Sequence, residues 1–433
     1  DSSWSDLMSS IDAAVEEQEF KEELVKKLVD PTGGEQMAEP ATVASEEEIL
    51  DEWQLVESEE PIDPYGILHA TLDDHNERLE ELREERLRQL EVEKKTSCGS
   101  INALRARIDG AYLLLSDPDQ KMAFDSRREA ERKAGSWAQV RYPNGLYQGG
   151  VHVEQDDEAA LQRSGRGVTV LSSGEKYEGS YLDDKRHGSG LQLWLSGDAY
   201  VGQWEQDQMS GTGIFYHSNG DVYVGDFQAG VRHGNGRLTW RNGSEYTGQF
   251  IRGRRSGYGL MCIAHPTTQW SKRYCGQWDQ GVFHGEGLLT TYSGMKHQGQ
   301  FHHGEFHGKG SHTFAGLDSF DGSFQHGRMH GFGTYHWAET GDHFVGQVKR
   351  NRLNGLGKLE FMSKVAVVAS SEETPVAPVE EESYTYDGQW LNQQPTGRGT
   401  LKGPSSEYEG GWEAGIRDGR GICRWQDGSS FVG

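Results

Sequence analysis

Tyr200-Val201-Gly202-Gln203-Trp204, followed by Ser210-Gly211-Thr212-Gly213, is a phrase that this chain repeats. It opens again at Tyr177, Tyr223 and Tyr246, a period of about 23 residues. Aromatic, glycine and aromatic at alternate positions place two rings and a gap on one face of an extended strand. Gly-x-Gly then leads into a second strand such as Arg237-Leu238-Thr239-Trp240. Asn219-Gly220, Asn242-Gly243 and Asp427-Gly428 supply the positive φ of tight turns, and Ser196-Gly197 is a weaker version. Each period reads as a β-hairpin whose strands are joined by a polar connection of about six residues. A single hairpin is marginal in water, so each must stack on its neighbours.

Working outward, the phrase lies at Tyr147, Tyr177, Tyr200, Tyr223, Tyr246, Tyr274, Phe320, Phe344, Tyr386 and Tyr408, with His297 taking the aromatic slot once more, which makes eleven copies. The candidate packing and interaction residues are the ring pairs Tyr177 and Tyr181, Tyr200 and Trp204, Tyr223 and Phe227, Tyr246 and Phe250, Tyr274 and Trp278, Phe320 and Phe324, Tyr386 and Trp390, and Tyr408 and Trp412. Extra residues fall at the joints, in 150–164, 261–273 and an acidic insertion over 363–383. Residues 137–433 resemble the MORN-repeat family (membrane occupation and recognition nexus), with its Y-x-G-x-W and H-G-x-G phrases. The resemblance implies a mostly β fold: an elongated, single-layer antiparallel sheet with stacked consensus aromatics.

Composition agrees with an aromatic core. Hydrophobic residues make up only 34%, against 10% aromatics and 58 glycines, so aliphatic burial is scarce. The net charge of −25 belongs to the flanks, with about −16 in residues 1–60 and about −4 in 361–385. Cys98, Cys262, Cys275 and Cys423 show no C-x-x-C spacing and read as reduced thiols. The chain opens at Asp1 without an initiator Met and closes on Phe431-Val432-Gly433, so the expectation is a piece of a longer protein whose targeting segment, and an organellar location with it, stays open.

Residues 1–60 read as an acidic, largely unstructured arm with Ile49, Leu50, Trp53, Leu55 and Val56 as a docking segment. Residues 61–133 read as a small all-α domain. Leu72, Leu79, Leu82, Leu87 and Leu90 form one stripe; a second helix, N-capped by Ser100, buries Ile101, Leu104, Ile108, Tyr112 and Leu115; a short third carries Met122 and Phe124. Asp63-Pro64-Tyr65-Gly66-Ile67-Leu68 and the run from Ala111 to Pro118 resemble the opening and closing parts of J-domains. Where those carry His-Pro-Asp, this chain has Lys94-Lys95-Thr96-Ser97-Cys98-Gly99-Ser100, so the resemblance implies a docking module without productive Hsp70 stimulation.

No catalytic, cofactor-binding or metal-binding constellation emerges, and nothing points to nucleic acid. His187, His233, His284, His307 and His330 occupy one place in successive repeats and are expected about 10 Å apart, too far to share a metal. The expected function is a non-enzymatic scaffold contacting the proteins of a multi-subunit assembly. The resemblance implies the cytoskeleton or a ciliary axoneme of radial-spoke type. Membrane apposition through anionic phospholipid ranks second, since only Arg252–Arg255 and Lys349–Arg352 are basic clusters in the array.

Overall fold

The computed structural model describes residues 64–70, 74–92, 98–118, 121–122, 124–126, 137–153, 161–265, 267, 270–365 and 380–433. The arm, with Ile49, Leu50, Trp53, Leu55 and Val56, lies outside the described residues, as does most of the acidic insertion. The chain divides into two compact units, Asp1–Val231 and Arg232–Gly433.

In the first unit, β1 (Trp137–Tyr142), β2 (Gly145–Val153), β3 (Leu161–Leu171), β4 (Lys176–Leu182), β5 (Lys185–Leu193), β6 (Ala199–Glu205), β7 (Gln208–Tyr216) and β8 (Val222–Gln228) pair antiparallel in chain order. The second unit begins inside β9 (Val231–Thr239) and continues the pattern strand by strand to β24 (Ser430–Val432). Mostly β, open and antiparallel is therefore the observed class.

The polar connection of about six residues proves to be a two-residue turn. Asp183 and Asp184 take φ of 50° and 64°, Gln206 and Asp207 51° and 66°, and β5 continues past the turn with a bulge at His187-Gly188-Ser189, where Gly188 has a φ of 67°. Two left-handed residues in succession match the right-handed twist of a hairpin. The sequence hides this because Asp, Gln, Arg and His occupy many of the positions where glycine would announce the turn. Side chains at these turns hold the preceding repeat: Asp184 Oδ1 accepts the Arg163 amide at 2.8 Å and Asp207 Oδ1 that of Arg186 at 2.9 Å. At the opposite ends Asp198 Oδ1 accepts the Ser218 amide at 2.7 Å, and in the second unit Asp318 Oδ1 accepts that of Ala338 at 2.9 Å.

The helices are α1 (Pro64–Leu68), α2 (Asn76–Val92) and α3 (Cys98–Ser116). Because α3 starts at Cys98, Ser100 lies within its first turn and does not cap it. Leu68, Leu79, Ile108, Ala111, Leu115 and Phe124 form the helical core, while Met122 is exposed. Leu104, expected inside, is exposed too, because α3 buries two faces rather than one stripe. Its second face carries Ala106 onto Leu191, Ala199, Val201, Ile214 and Tyr216, the side of β5–β7 that turns away from Tyr200 and Trp204. Gly110 permits this approach, since a Cβ there would stand 2.6 Å from Val201 Cγ2.

A polar clasp fixes the packing. Arg83 of α2, fully buried, gives its Nε to Asp109 Oδ1 at 2.5 Å, and the Tyr216 hydroxyl donates to the other oxygen of Asp109. Burial and the adjacent carboxylate hold the Tyr216 phenol well above its usual pKa, so it stays a neutral donor. Removing one partner of a buried ion pair strands the other charge. Asp109→Ala is expected to destabilise the first unit by about 3–5 kcal/mol and to raise hydrogen exchange in α2 and α3 before β4–β7. Tyr216→Phe should cost only about 1 kcal/mol in chemical denaturation.

Candidate functional site

The repeated phrase builds a ladder of edge-to-face rings. Tyr200 meets Trp204 in its own strand at 5.3 Å and Phe227 of the next repeat at 5.0 Å. Tyr177 meets Tyr181 at 5.1 Å and Trp204 at 5.5 Å. The second unit repeats the pattern. Tyr246 lies 5.1 Å from both Phe250 and Trp278, and Tyr386 lies 5.1 Å from both Trp390 and Trp412. Tyr274 pairs with Trp278, Phe320 with Phe324 and Tyr408 with Trp412, as Tyr223 does with Phe227 in the first unit.

Each tyrosine lies flat across two cross-strand glycines. A Cβ at Gly202 or Gly213 would stand 2.5 Å from Tyr200 Oη, and Gly179 and Gly190 crowd Tyr177 in the same way. The second strand bulges opposite the residue after the first glycine, with Ser210-Gly211-Thr212 facing Gln203 and Ser256-Gly257-Tyr258 facing Gln249, and the ring hydroxyl bonds the carbonyl of that residue: Tyr200 Oη donates to Gln203 O at 2.9 Å and Tyr246 Oη to Gln249 O at 3.0 Å. Burial raises the phenols of Tyr200, Tyr246 and Tyr274, and that of Tyr386 to about 12. Trp278 Nε1 donates to Gly259 O at 3.0 Å and Trp390 Nε1 to Gly357 O at 2.9 Å, which ties each hairpin to the one before. Tyr200, Tyr223, Tyr246, Tyr274, Phe320 and Phe344 are wholly inaccessible. The ring pairs are therefore core. Of the pairs named from the sequence, only Trp412 is as much as half-exposed.

What a partner can reach is a second aromatic row on the same face, which the sequence reading passed over. Trp194 stacks on Phe215 at 5.4 Å, and Phe215 reaches His217 at 4.5 Å. In the second unit Phe314 approaches Tyr335 at 5.8 Å, and Tyr335 approaches Trp337 at 4.5 Å. All are half-buried, and the Tyr335 hydroxyl donates to Asp318 at 3.1 Å. The signal was present: Trp194, His217, Trp240, Phe314, Trp337, Phe361 and Trp425 each stand four places after the second glycine of a Gly-x-Gly.

Between the ladder positions His284 and His307 stands a further ring, His302, 5.4 Å from each, with His303 of the following turn beside it at 4.2 Å. Among the described residues no group of three His, Cys, Asp or Glu side chains could hold a metal ion. Cys262, Cys275 and Cys423 are unbridged, although Cys262 and Cys275 become diagonal neighbours on β11 (Arg254–Ile263) and β12 (Lys272–Asp279). No described helix is long and apolar enough to cross a membrane.

Compared with known families, ten stretches match the MORN repeat: 177–199, 200–222, 223–245, 246–263, 274–296, 297–318, 320–339, 344–363, 386–406 and 408–430. These are MORN repeats. The copy at Tyr147 falls outside the match but keeps the geometry, with its ring over Gly149 and Gly167 and its hydroxyl donating to Gly150 O at 2.6 Å. The family match does not extend to the helical segment, and no curated protein matches the chain.

Two measurements test this account of the MORN core. Gly213→Ala should lower the stability of the first unit by about 1–3 kcal/mol in chemical denaturation, whereas Gly316→Ala, where a Cβ meets nothing within 4 Å, should be neutral. His297, fully buried and stacked on Phe306, has its pKa lowered to about 3 by burial and by His312. The folded state keeps this ring neutral while the unfolded chain protonates near pH 6.5, so stability is full above that pH and falls as acid is added. The loss should reach about 2 kcal/mol near pH 5, and His297→Tyr should remove most of it.

Proposed function

We propose that this chain is a non-enzymatic interaction scaffold, a subunit of a cytoskeletal assembly such as a ciliary axoneme. The observation that carries the scaffold reading is the half-exposed aromatic row beside a sealed core. Rigid aromatics with one face open offer large contact area at little entropic cost, as binding surfaces require. The backbone beneath them is pinned by the turn carboxylates of neighbouring repeats, so the row is presented already ordered. The axonemal assignment follows from the resemblance of the repeats alone. The helical segment, clasped to β5–β7, would serve as a docking module rather than an Hsp70 activator.

Membrane apposition is less well supported. In the Arg252–Arg255 cluster, Arg255 is folded inward, 4.5 Å over the Trp278 ring, with its guanidinium donating to Gly281 O at 2.9 Å. That cation is spent on packing and leaves little for a lipid headgroup.

Proximity labelling with the tagged full-length chain in a ciliated cell tests the proposal. Axonemal proteins are expected among the labelled neighbours, reduced at least several-fold when Phe314 and Trp337 are replaced by alanine. Labelling confined to membrane proteins, together with salt-sensitive flotation on phosphatidylserine vesicles, would overturn it.

A further inference from the structure

A row of imidazoles crosses the turn edge of the second unit. It starts at His284 on β13 (Val282–Thr291), passes His302 at the end of β14 (Lys296–His302), takes in His307 on β15 (Glu305–Thr313), and ends at His326, the turn after β16 (Ser319–Gln325). The steps between ring centroids are 5.4, 5.4 and 6.2 Å. His303 stands beside the row, 4.2 Å from His302 and 5.8 Å from His284. His303 and His326 occupy left-handed turn positions, both with φ of 50°, where the other hairpins place Asp, Gln, Ala, Arg or Asn. Packing explains the histidine after each first turn, but it does not call for these additional rings at exposed turns.

We propose that this row is a proton-dependent docking site for a carboxylate-rich segment of a partner protein. The surface beneath it is nearly balanced: Asp279 on β12, Glu286 on β13 and Glu305 on β15 offset Lys309 on β15 and Arg328 on β17 (Arg328–His336), next to His330. Of these, only Glu305 forms an ion contact with the row, at 3.6 Å from His326 Nδ1. Neutral, the row is a weak site. Charged, it becomes a line of up to five cations whose mutual repulsion an incoming polyanion relieves.

The occupant follows from this geometry. The row is one ring wide, and its steps approach the roughly 6.7 Å between same-face side chains of an extended peptide. A linear polycarboxylate can meet it ring by ring with charge-assisted hydrogen bonds, which a planar lipid surface cannot do. Desolvation, and after it the charges of the four neighbouring histidines, lower the His302 pKa in the free protein, so protons and ligand should bind together. The site lies apart from the aromatic row and does not depend on its role.

Fluorescence anisotropy of a labelled oligoglutamate peptide with the full-length chain, at constant ionic strength, reads the site directly. Affinity should fall about tenfold or more between about pH 5.5 and pH 7.5, the loss expected for release of at least one proton. The His302→Asn, His303→Asn and His326→Asn triple variant, changed only at exposed positions, should lose the pH-dependent part while keeping its circular dichroism. Binding that ignores pH, a variant equal to the parent chain, or binding to phosphatidylserine vesicles without binding to the peptide would each overturn the proposal.

Discussion

A tyrosine ring laid across two glycines is the contact on which the array depends. Neither strand of a hairpin could lie so close beneath the ring with a Cβ in place, and without the ring the two glycines would leave a void at the centre of a one-layer sheet. Everything else in the repeat serves this contact. The hydroxyl bonds a carbonyl opposite the bulge, the second aromatic closes the ring's open edge, and the following repeat supplies another edge-on ring. Where His297 or Phe320 replaces tyrosine the hydroxyl bond is lost but the stack persists, so shape matters more than the hydrogen bond.

The two faces of the sheet therefore have different fates. One face buries its own aromatics by turning them on each other, and needs no second layer. On the other face, cross-strand neighbours such as Leu191, Val201 and Ile214 cannot cover themselves, and in the first unit α3 does so. That helix is accordingly a shared wall, with its own helical core on one side and the sheet on the other.

The period, the hairpin and the paired rings were legible in the sequence because each rests on strict spacing. Less could be read where one residue type serves two purposes. Asp183-Asp184 and Gln206-Asp207 looked like polar linker and are tight turns, since acidic and amide side chains also tolerate the left-handed region. In α2 the sequence shows the leucine stripe among Glu and Arg, and nothing marks Arg83, one of its most buried side chains, which is held inside by Asp109. In the row at His284, His302 and His307, the closeness of His302 to His307 falls within one repeat and could be read there, whereas the step to His284 joins β14 to the preceding hairpin, a juxtaposition that spacing within a single repeat cannot express.

The longest ladder among the described residues belongs to β19 (Arg352–Val365) and β20 (Glu380–Leu391), paired continuously from Gly355 and Trp390 out to Val365 and Glu380. The acidic insertion thus leaves from the tip of a prolonged hairpin, beyond the last ring pair. For a segment joining two strand ends held side by side, closing entropy changes by only about 0.6 kcal/mol for each doubling of length. Sequence can lengthen or shorten there with almost no effect on the stack, which makes that joint the place where an array of identical parts can acquire an individual character.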